Sequence, residues 1–413
     1  MDEGRAPGGR EIDRRRDWEL LVRACHTDVA GLGARVAERF PARRAGDWGE
    51  FLRLADEQGA GPLAASALLS VDGDVIPEEV RAALRHRLQL GTLRARIQVP
   101  ELLAILGMLD ARGIGAIAHK GPALSALAYG RAGIRDSVDL DLVVCESDLA
   151  AAEQALRERG YRRNSPGDLS PREEAGWRKA WNETELVSAD GWTFVDLHWR
   201  MCPERFPFRV DGPRLWSRRH RVELGGREVR VFPAESQIVL LCVHGAKDTW
   251  NKLIWLCDID RVIRASPSLD WEEVSAFAEE GRCRRAVGLG LLLANRLLGT
   301  PVPAPVLSRA AGDALGRLRA EVVDQLASGG IRRPWWLAHF DVLPLHLQIF
   351  ETRADVVRYV GRTLVTPRAW DWEVVKLRLP DSLYPLRYLA RLARLIVTFP
   401  REALRHRRGR RTA

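Results

Sequence analysis

The segment Arg135-Asp136-Ser137-Val138-Asp139-Leu140-Asp141-Leu142-Val143-Val144 constrains this chain more than any other. Its polar and apolar residues alternate as in a β-strand. Asp139 and Asp141 then project from one face, while Val138, Leu140 and Leu142 point into a core. Aspartate is disfavoured in strands, and two on one face stand about 6–7 Å apart along the chain and repel. A divalent cation removes that repulsion; hard Mg²⁺ prefers carboxylate oxygens and keeps water or phosphate oxygens in its other positions. An amphipathic strand whose solvent face merely carries two aspartates would read the same way, so the pair alone decides nothing.

Two further segments add to it. Phe194-Val195-Asp196-Leu197-His198-Trp199 also alternates. If it pairs beside the first strand, Asp196 joins Asp139 and Asp141; otherwise it is a surface aspartate next to a core tryptophan. Lys120-Gly121 stands at a strand-to-helix junction shortly before Asp139. A helix start offers unpaired N–H groups and partial positive charge to an anion, glycine lets phosphate approach the backbone, and lysine adds a point charge. A plain turn is the alternative there.

Taken in order, a phosphate cradle, a D-x-D strand and a later acidic strand resemble the polymerase-beta-like nucleotidyltransferase superfamily. The match is best to its bacterial group of uncharacterised nucleotidyltransferases, with a K-G helix start, an R-x-x-x-D-h-D-h-h-V strand and a D-h-H-W strand. Here these are Lys120-Gly121, Arg135 to Val144 and Asp196 to Trp199. The segment His244-Gly-Ala-Lys247-Asp248-Thr-Trp250-Asn-Lys-Leu253-Ile-Trp255-Leu-Cys-Asp258 is similar to that group's H-G-x-x-x-x-W-x-x-L-x-W-L-x-D stretch, so the resemblance runs over about 100 to 265. In one departure Gly121 is followed by Pro122, which fits a first helical turn but removes one N–H donor. Phosphate contacts then rest more on Lys120.

The resemblance implies an α+β fold, a polymerase-beta-like core of short mixed sheet and flanking helices embedded in a largely helical chain. It also implies transfer of a nucleoside monophosphate from an NTP such as ATP onto an acceptor hydroxyl, with two Mg²⁺ (or Mn²⁺) about 3.5–4 Å apart. Asp139 and Asp141 would bind both ions and Asp196 the acceptor-side ion; Lys120 and the Gly121 amide would hold donor phosphates. Lys247 is a candidate for reaching nucleotide or acceptor. Arg135 would touch phosphate or pair with Asp136. His198 shares the face of Asp196 and either meets the acceptor or hydrogen-bonds beneath the site. His244 and Asp258 are the remaining acceptor-side candidates, with a packing helix as their alternative. The expected acceptor is a small molecule, sugar or peptide. A non-catalytic nucleotide- or metabolite-binding protein on the same fold, or an RNA-directed, tRNA-modifying enzyme, are the other readings.

Composition sets the frame. The 413 residues suit two or three packed domains, and 46% hydrophobic with 29% charged residues describe a globular protein. Apolar runs such as Ile238 to Val243 are far shorter than the roughly 20 residues of a membrane span, and the charged N-terminus lacks a signal-peptide core, so the expected compartment is the cytoplasm. Six scattered cysteines without a CxxC pair indicate buried thiols. Of the net charge of +9, residues 401–413 contribute +5 from six Arg and one Glu, leaving +4 for the rest. Only five of the 64 basic residues are lysine, among them Lys120 and Lys247, and an ammonium is not interchangeable with a guanidinium. No G-x-S-x-G, P-loop or H-E-x-x-H motif is present.

Along the chain the expected units are a disordered N-terminus (1–16), a helical region (17–99), the nucleotidyltransferase core (100–232), a helical C-terminal domain (233–400) and a basic tail (401–413). Within them the patterning predicts strands at 115–119, 139–144, 185–188, 193–199, 220–224 and 228–231. Helices are predicted at 100–112, 120–129, 147–160, 234–247, 251–265, 271–281 and 284–298.

Overall fold

Five helices lead into the sheet: α1 (Pro7–Ala24), α2 (Leu32–Arg39), α3 (Gly49–Glu57), α4 (Gly61–Leu69) and α5 (Glu78–Ala111). The α/β part follows as β1 (Ala116–Ala118), α6 (Gly121–Tyr129), β2 (Asp139–Val144), α7 (Leu149–Glu158), β3 (Arg162–Ser165), α8 (Pro171–Ala180), β4 (Glu183–Val187) and β5 (Phe194–His198). A short helix α9 (Pro213–Ser217) and the hairpin β6 (His220–Leu224) and β7 (Arg227–Val231) come next. The chain then turns helical: α10 (Ala234–Lys247), α11 (Leu253–Ala265), α12 (Trp271–Glu280), α13 (Arg284–Leu298), α14 (Ala304–Ala310), α15 (Asp313–Ser328), α16 (Pro344–Ile349) and α17 (Arg353–Val365). This computed structural model describes residues 7–41, 44–130, 132–165, 169–218, 220–310, 312–329, 340, 342–366, 388–389 and 391–399. The basic tail at 401–413 and the pair Trp335-Trp336 lie outside the described residues.

The fold is α+β, as the sequence indicates. One mixed sheet in the order β1-β2-β5-β4-β3 stands among helices, with β2 and β5 parallel and the other pairs antiparallel. Alternation sorts the strand residues. Leu140, Leu142 and Val144 of β2, Val195 and Leu197 of β5 and Leu186 of β4 share a core with Leu102, Ile105 and Leu109 of α5 and Leu149, Ala152 and Leu156 of α7. On the opposite face of β2, Val143 joins a second core that runs through the N-terminal helices and α10, α11 and α13. That core covers the C-terminal end of the face and leaves its N-terminal end to the aspartates. Among the described residues, no helix is long and apolar enough to cross a membrane.

Several expectations need correction. Val138 does not enter the core: β2 begins at Asp139, and Val138, in the preceding turn, is 66% exposed. Residues 7–16 belong to helix α1, where charge contacts such as Arg14 with Glu50 and Arg39 with Asp13 tie a polar segment to its neighbours. The helix expected from Pro100 is the last third of one 34-residue helix, α5, with Pro100 inside it. A proline there costs about 3 kcal/mol. Packing just ahead of the proline holds the helix in place: Gly91 crosses the Gly133 backbone so closely that an added Cβ would stand 2.4 Å from the Gly133 carbonyl oxygen, and Gln98 donates to the Ser137 carbonyl at 3.0 Å. Strand β3 and helix α8 have no counterpart among the expected elements.

The junction between α10 and α11 explains the spacing of His244-Gly245 and Trp250. Thr249 and Trp250 adopt left-handed backbone angles (φ +58° and +53°), strain of about 1–3 kcal/mol each. This turns the Trp250 indole, fully buried, back onto Gly245 of α10 and Gly290 of α13. A Cβ on Gly245 would lie 2.3 Å from that ring. Gly245→Ala should therefore destabilise the protein by about 1–3 kcal/mol through overpacking. Gly107→Ala, on the exposed side of α5 with nothing near its would-be Cβ, should gain up to about 1 kcal/mol from helix propensity. Opposite movements of the two urea midpoints check the assignment.

Candidate active site

The parallel pairing of β2 with β5 builds the site. Its register sets Asp139 opposite Phe194, Asp141 opposite Asp196 and Val143 opposite His198. Strand β4 continues the rows, with Glu185 opposite Asp196 and Glu183 opposite His198. Residues paired this way project to one face, so four strand positions with acidic side chains surround Asp196 and His198. Asp141 and His198 are buried, while Asp139, Asp196, Glu183 and Glu185 are half-buried.

The loop from β1 to α6 closes over Asp141. The His119 amide donates to the Asp141 carbonyl at 3.1 Å, and the Lys120 ammonium stands 3.0 Å from Asp141 Oδ1. Gly121 has φ +57°, and a Cβ there would lie 3.2 Å from the Asp139 carbonyl oxygen and 3.4 Å from Ser137 Oγ. Both the backbone angle and the close approach call for glycine. Gln237 of α10 anchors the loop from behind, donating to the His119 carbonyl at 3.0 Å.

Electrostatics divides the carboxyls. Burial would raise the pKa of Asp141, but Lys120 and His198, whose Nε2 is 3.2 Å from Oδ1, hold it well below the usual carboxylate range. Asp139 is raised by burial and by the charge of Asp141. Asp196 is pushed up to about 8 by burial and Asp141. Glu183 stays low because Lys247 and His198 outweigh its burial. His198, despite burial, is lifted to about 9 by Glu183, 3.0 Å from Nδ1, and by Asp141. Two carboxyls thus sit on this face without enough positive charge to ionise comfortably. Ligand atoms of Asp141, Asp196 and His198 lie within 4.8 Å of one another, a donor set that suits a divalent cation. Asp139 shares the face but does not enter that set.

The remaining candidates divide into two groups. Lys247, at the C-terminal end of α10, is mostly buried and 3.6 Å from Asp248; its charge acts on both Glu183 and Lys120, which brings it to this site. His346 fixes that end of the helix, donating from Nε2 to the Lys247 carbonyl at 2.9 Å and accepting at Nδ1 from the Tyr359 hydroxyl at 2.6 Å. His244 lies 3.3 Å from Asp248 and edge-on to Trp255, and burial with Lys120 and Lys247 keeps its pKa well below the ordinary value. Arg135 and Asp258 instead hold each other. Arg135 Nε reaches both Asp258 oxygens at 2.9 and 3.0 Å, and the Tyr129 hydroxyl donates to Oδ1 at 2.8 Å. Asp258 is fully buried. The expected Arg135–Asp136 pair does not form: Asp136 binds Arg94 of α5.

Sequence patterning misses Glu183. It starts β4 at residue 185, although Glu183-Thr184-Glu185 repeats the acid-x-acid alternation of Asp139 and Asp141. Two outcomes are expected from the geometry. Asp258→Ala strands a buried guanidinium and should cost about 3–5 kcal/mol of stability in urea denaturation. In the metal-free protein Asp196 carries a proton below about 8, and an ion needs the carboxylate. Divalent-cation affinity should then fall by up to about tenfold per pH unit as pH drops below that value, read by calorimetric titration with Mn²⁺.

Comparison with known proteins places the chain. No curated protein matches it. Among solved structures, that of the antibiotic-resistance factor ANT(2'')-Ia is similar at 19% identity and a TM-score of 0.31, covering 46% of this chain and 94% of the other. The profile of the uncharacterised nucleotidyltransferase family matches residues 44–299, more than half of the chain and the whole of the site just described, and the protein belongs to that family.

Proposed function

We propose that this nucleotidyltransferase moves a nucleoside monophosphate from an NTP to a hydroxyl of a small-molecule, sugar or peptide acceptor, with divalent cations at the β2–β5 face. The observation that carries the reading is the register that sets Asp141 against Asp196, with Lys120 on Asp141. Asp141 and Asp196 would hold Mg²⁺ or Mn²⁺, with Asp139 completing a second position from the rim of the face. Bound there, such ions acidify an acceptor hydroxyl and neutralise charge on the departing pyrophosphate.

The side chains supply position and charge. Lys120, with the Gly121 amide at the start of α6, pairs with the donor phosphates; Pro122 offers no N–H, so the ammonium bears most of that contact. Lys247, whose charge acts on Glu183, reaches the phosphates or the acceptor. As the acceptor oxygen bonds to the α-phosphorus, the bond to the β-phosphate oxygen breaks, pyrophosphate leaves, and the hydroxyl proton passes to the Asp196 carboxylate. Positioning and electrostatics dominate such transfers. His244, whose pKa burial and the two lysines hold well below the ordinary value, packs edge-on to Trp255.

Asp139→Ala, Asp141→Ala and Asp196→Ala should each lower turnover by at least about 10²–10³ while the circular dichroism spectrum is kept. The assay is pyrophosphate release with each NTP, with and without Mg²⁺ or Mn²⁺. Full metal-dependent turnover by Asp141→Ala would refute the site.

A further inference from the structure

We propose that His198 is itself a ligand of the divalent ion, through Nε2, and that Glu183 is the carboxylate that orients its ring. This deepens the metal-dependent reading above and rests on it. Three strands carry the arrangement. His198 follows Asp196 by one pleat on β5, and Glu183 is its register partner on β4. The imidazole is 5% exposed, with Nε2 3.2 Å from Asp141 Oδ1 and Nδ1 3.0 Å from Glu183 Oε2. Its ligand atom belongs to the one set among the described residues in which three donors converge within 4.8 Å, and the other two are Asp141 and Asp196.

Metal-binding histidines commonly present one ring nitrogen to the ion and the other to a carboxylate, which fixes the tautomer and raises the basicity of the ligand. Glu183, with Oε2 3.0 Å from Nδ1 but out of line for a hydrogen bond without the ion, is the carboxylate placed to take that role. Two other histidines are held differently: His346 lies between a backbone carbonyl and a tyrosine hydroxyl, and His26 Nε2 faces the Leu297 carbonyl at 2.9 Å. Both nitrogens of His198 face carboxylates, and one of these belongs to the proposed metal set. With an ion bound, Nε2 would have given its proton to solvent and Nδ1, 3.0 Å from Glu183 Oε2, would keep its hydrogen. A nitrogen donor changes the preference of the site. Two carboxylates and an imidazole suit borderline Co²⁺ best, and Mn²⁺, which accepts a nitrogen donor more readily, better than Mg²⁺, which favours oxygen ligands.

The test is electron spin-echo spectroscopy of the full chain loaded with Mn²⁺, alongside calorimetric affinities for Mn²⁺ and Mg²⁺. Wild type should show the ¹⁴N modulation of a coordinated imidazole, and His198→Gln should lose it. In His198→Gln the Mn²⁺ affinity should drop at least about tenfold while the Mg²⁺ affinity changes much less. Glu183→Gln should keep the nitrogen signal and weaken Mn²⁺ binding by about tenfold. Wild-type protein that binds Mn²⁺ in an Asp141-dependent way without ¹⁴N modulation would overturn the ligand assignment and leave metal-dependent transfer standing. No saturable Mn²⁺ binding would overturn both. Nitrogen ligation without divalent-dependent pyrophosphate release would uphold the ligand set and overturn the proposed reaction.

Discussion

The site depends on one costly pairing, Asp141 directly across from Asp196 on parallel neighbouring strands. Like charges in register destabilise a sheet, and burial raises the penalty. The protein answers unevenly. Lys120 and His198 both lie against Asp141, which stays ionised, while Asp196 and Asp139 are left short of positive charge. A sheet stabilised only for its own sake would neutralise all three. The imbalance is what gives the face its capacity for a cation and for the phosphates that accompany one.

Holding that face in place is the task of the helices. Gln237 of α10 ties down the loop that carries Lys120, and the buried Arg135–Asp258–Tyr129 cluster joins the approach to β2 and the end of α6 to helix α11. Such ion pairs contribute little net stability but are costly to break, which suits a strut whose purpose is registration. The segment from His244 to Asp258 thereby acquires a physical reading. Gly245 and Trp250 lock α10 to α13 and turn the chain into α11, Asp258 receives Arg135, and Lys247 is delivered to the carboxylate face.

Much of this is legible locally. Strand β2 and helices α10 and α13 fall where periodicity puts them, because each carries an uninterrupted apolar repeat. The failures have identifiable causes. Helix α8 begins at a capping box, Ser170 with Glu173, and Pro171 in its first turn, a signal present but outweighed by a polar segment with little apolar periodicity. Local rules make an interior proline expensive and so place Pro100 at a helix start; contacts from Gly133 and Ser137, remote in sequence, make the interior position tolerable. Spacing matches Arg135 with its neighbour Asp136, whereas the buried partner, Asp258, lies on another element.

What the sequence determined by itself is the class of the protein and the chemistry of its face: alternation puts Asp139 and Asp141 on one side of a strand, and Lys120-Gly121 opens a helix near them. Tertiary structure decided which groups meet. Whether Asp196 stands beside Asp141, whether His198 turns its nitrogens to Asp141 and Glu183, and whether Asp258 is a strut or a ligand all follow from strand register and helix docking. Those are set by burying the two apolar cores, a global property that no local spacing encodes.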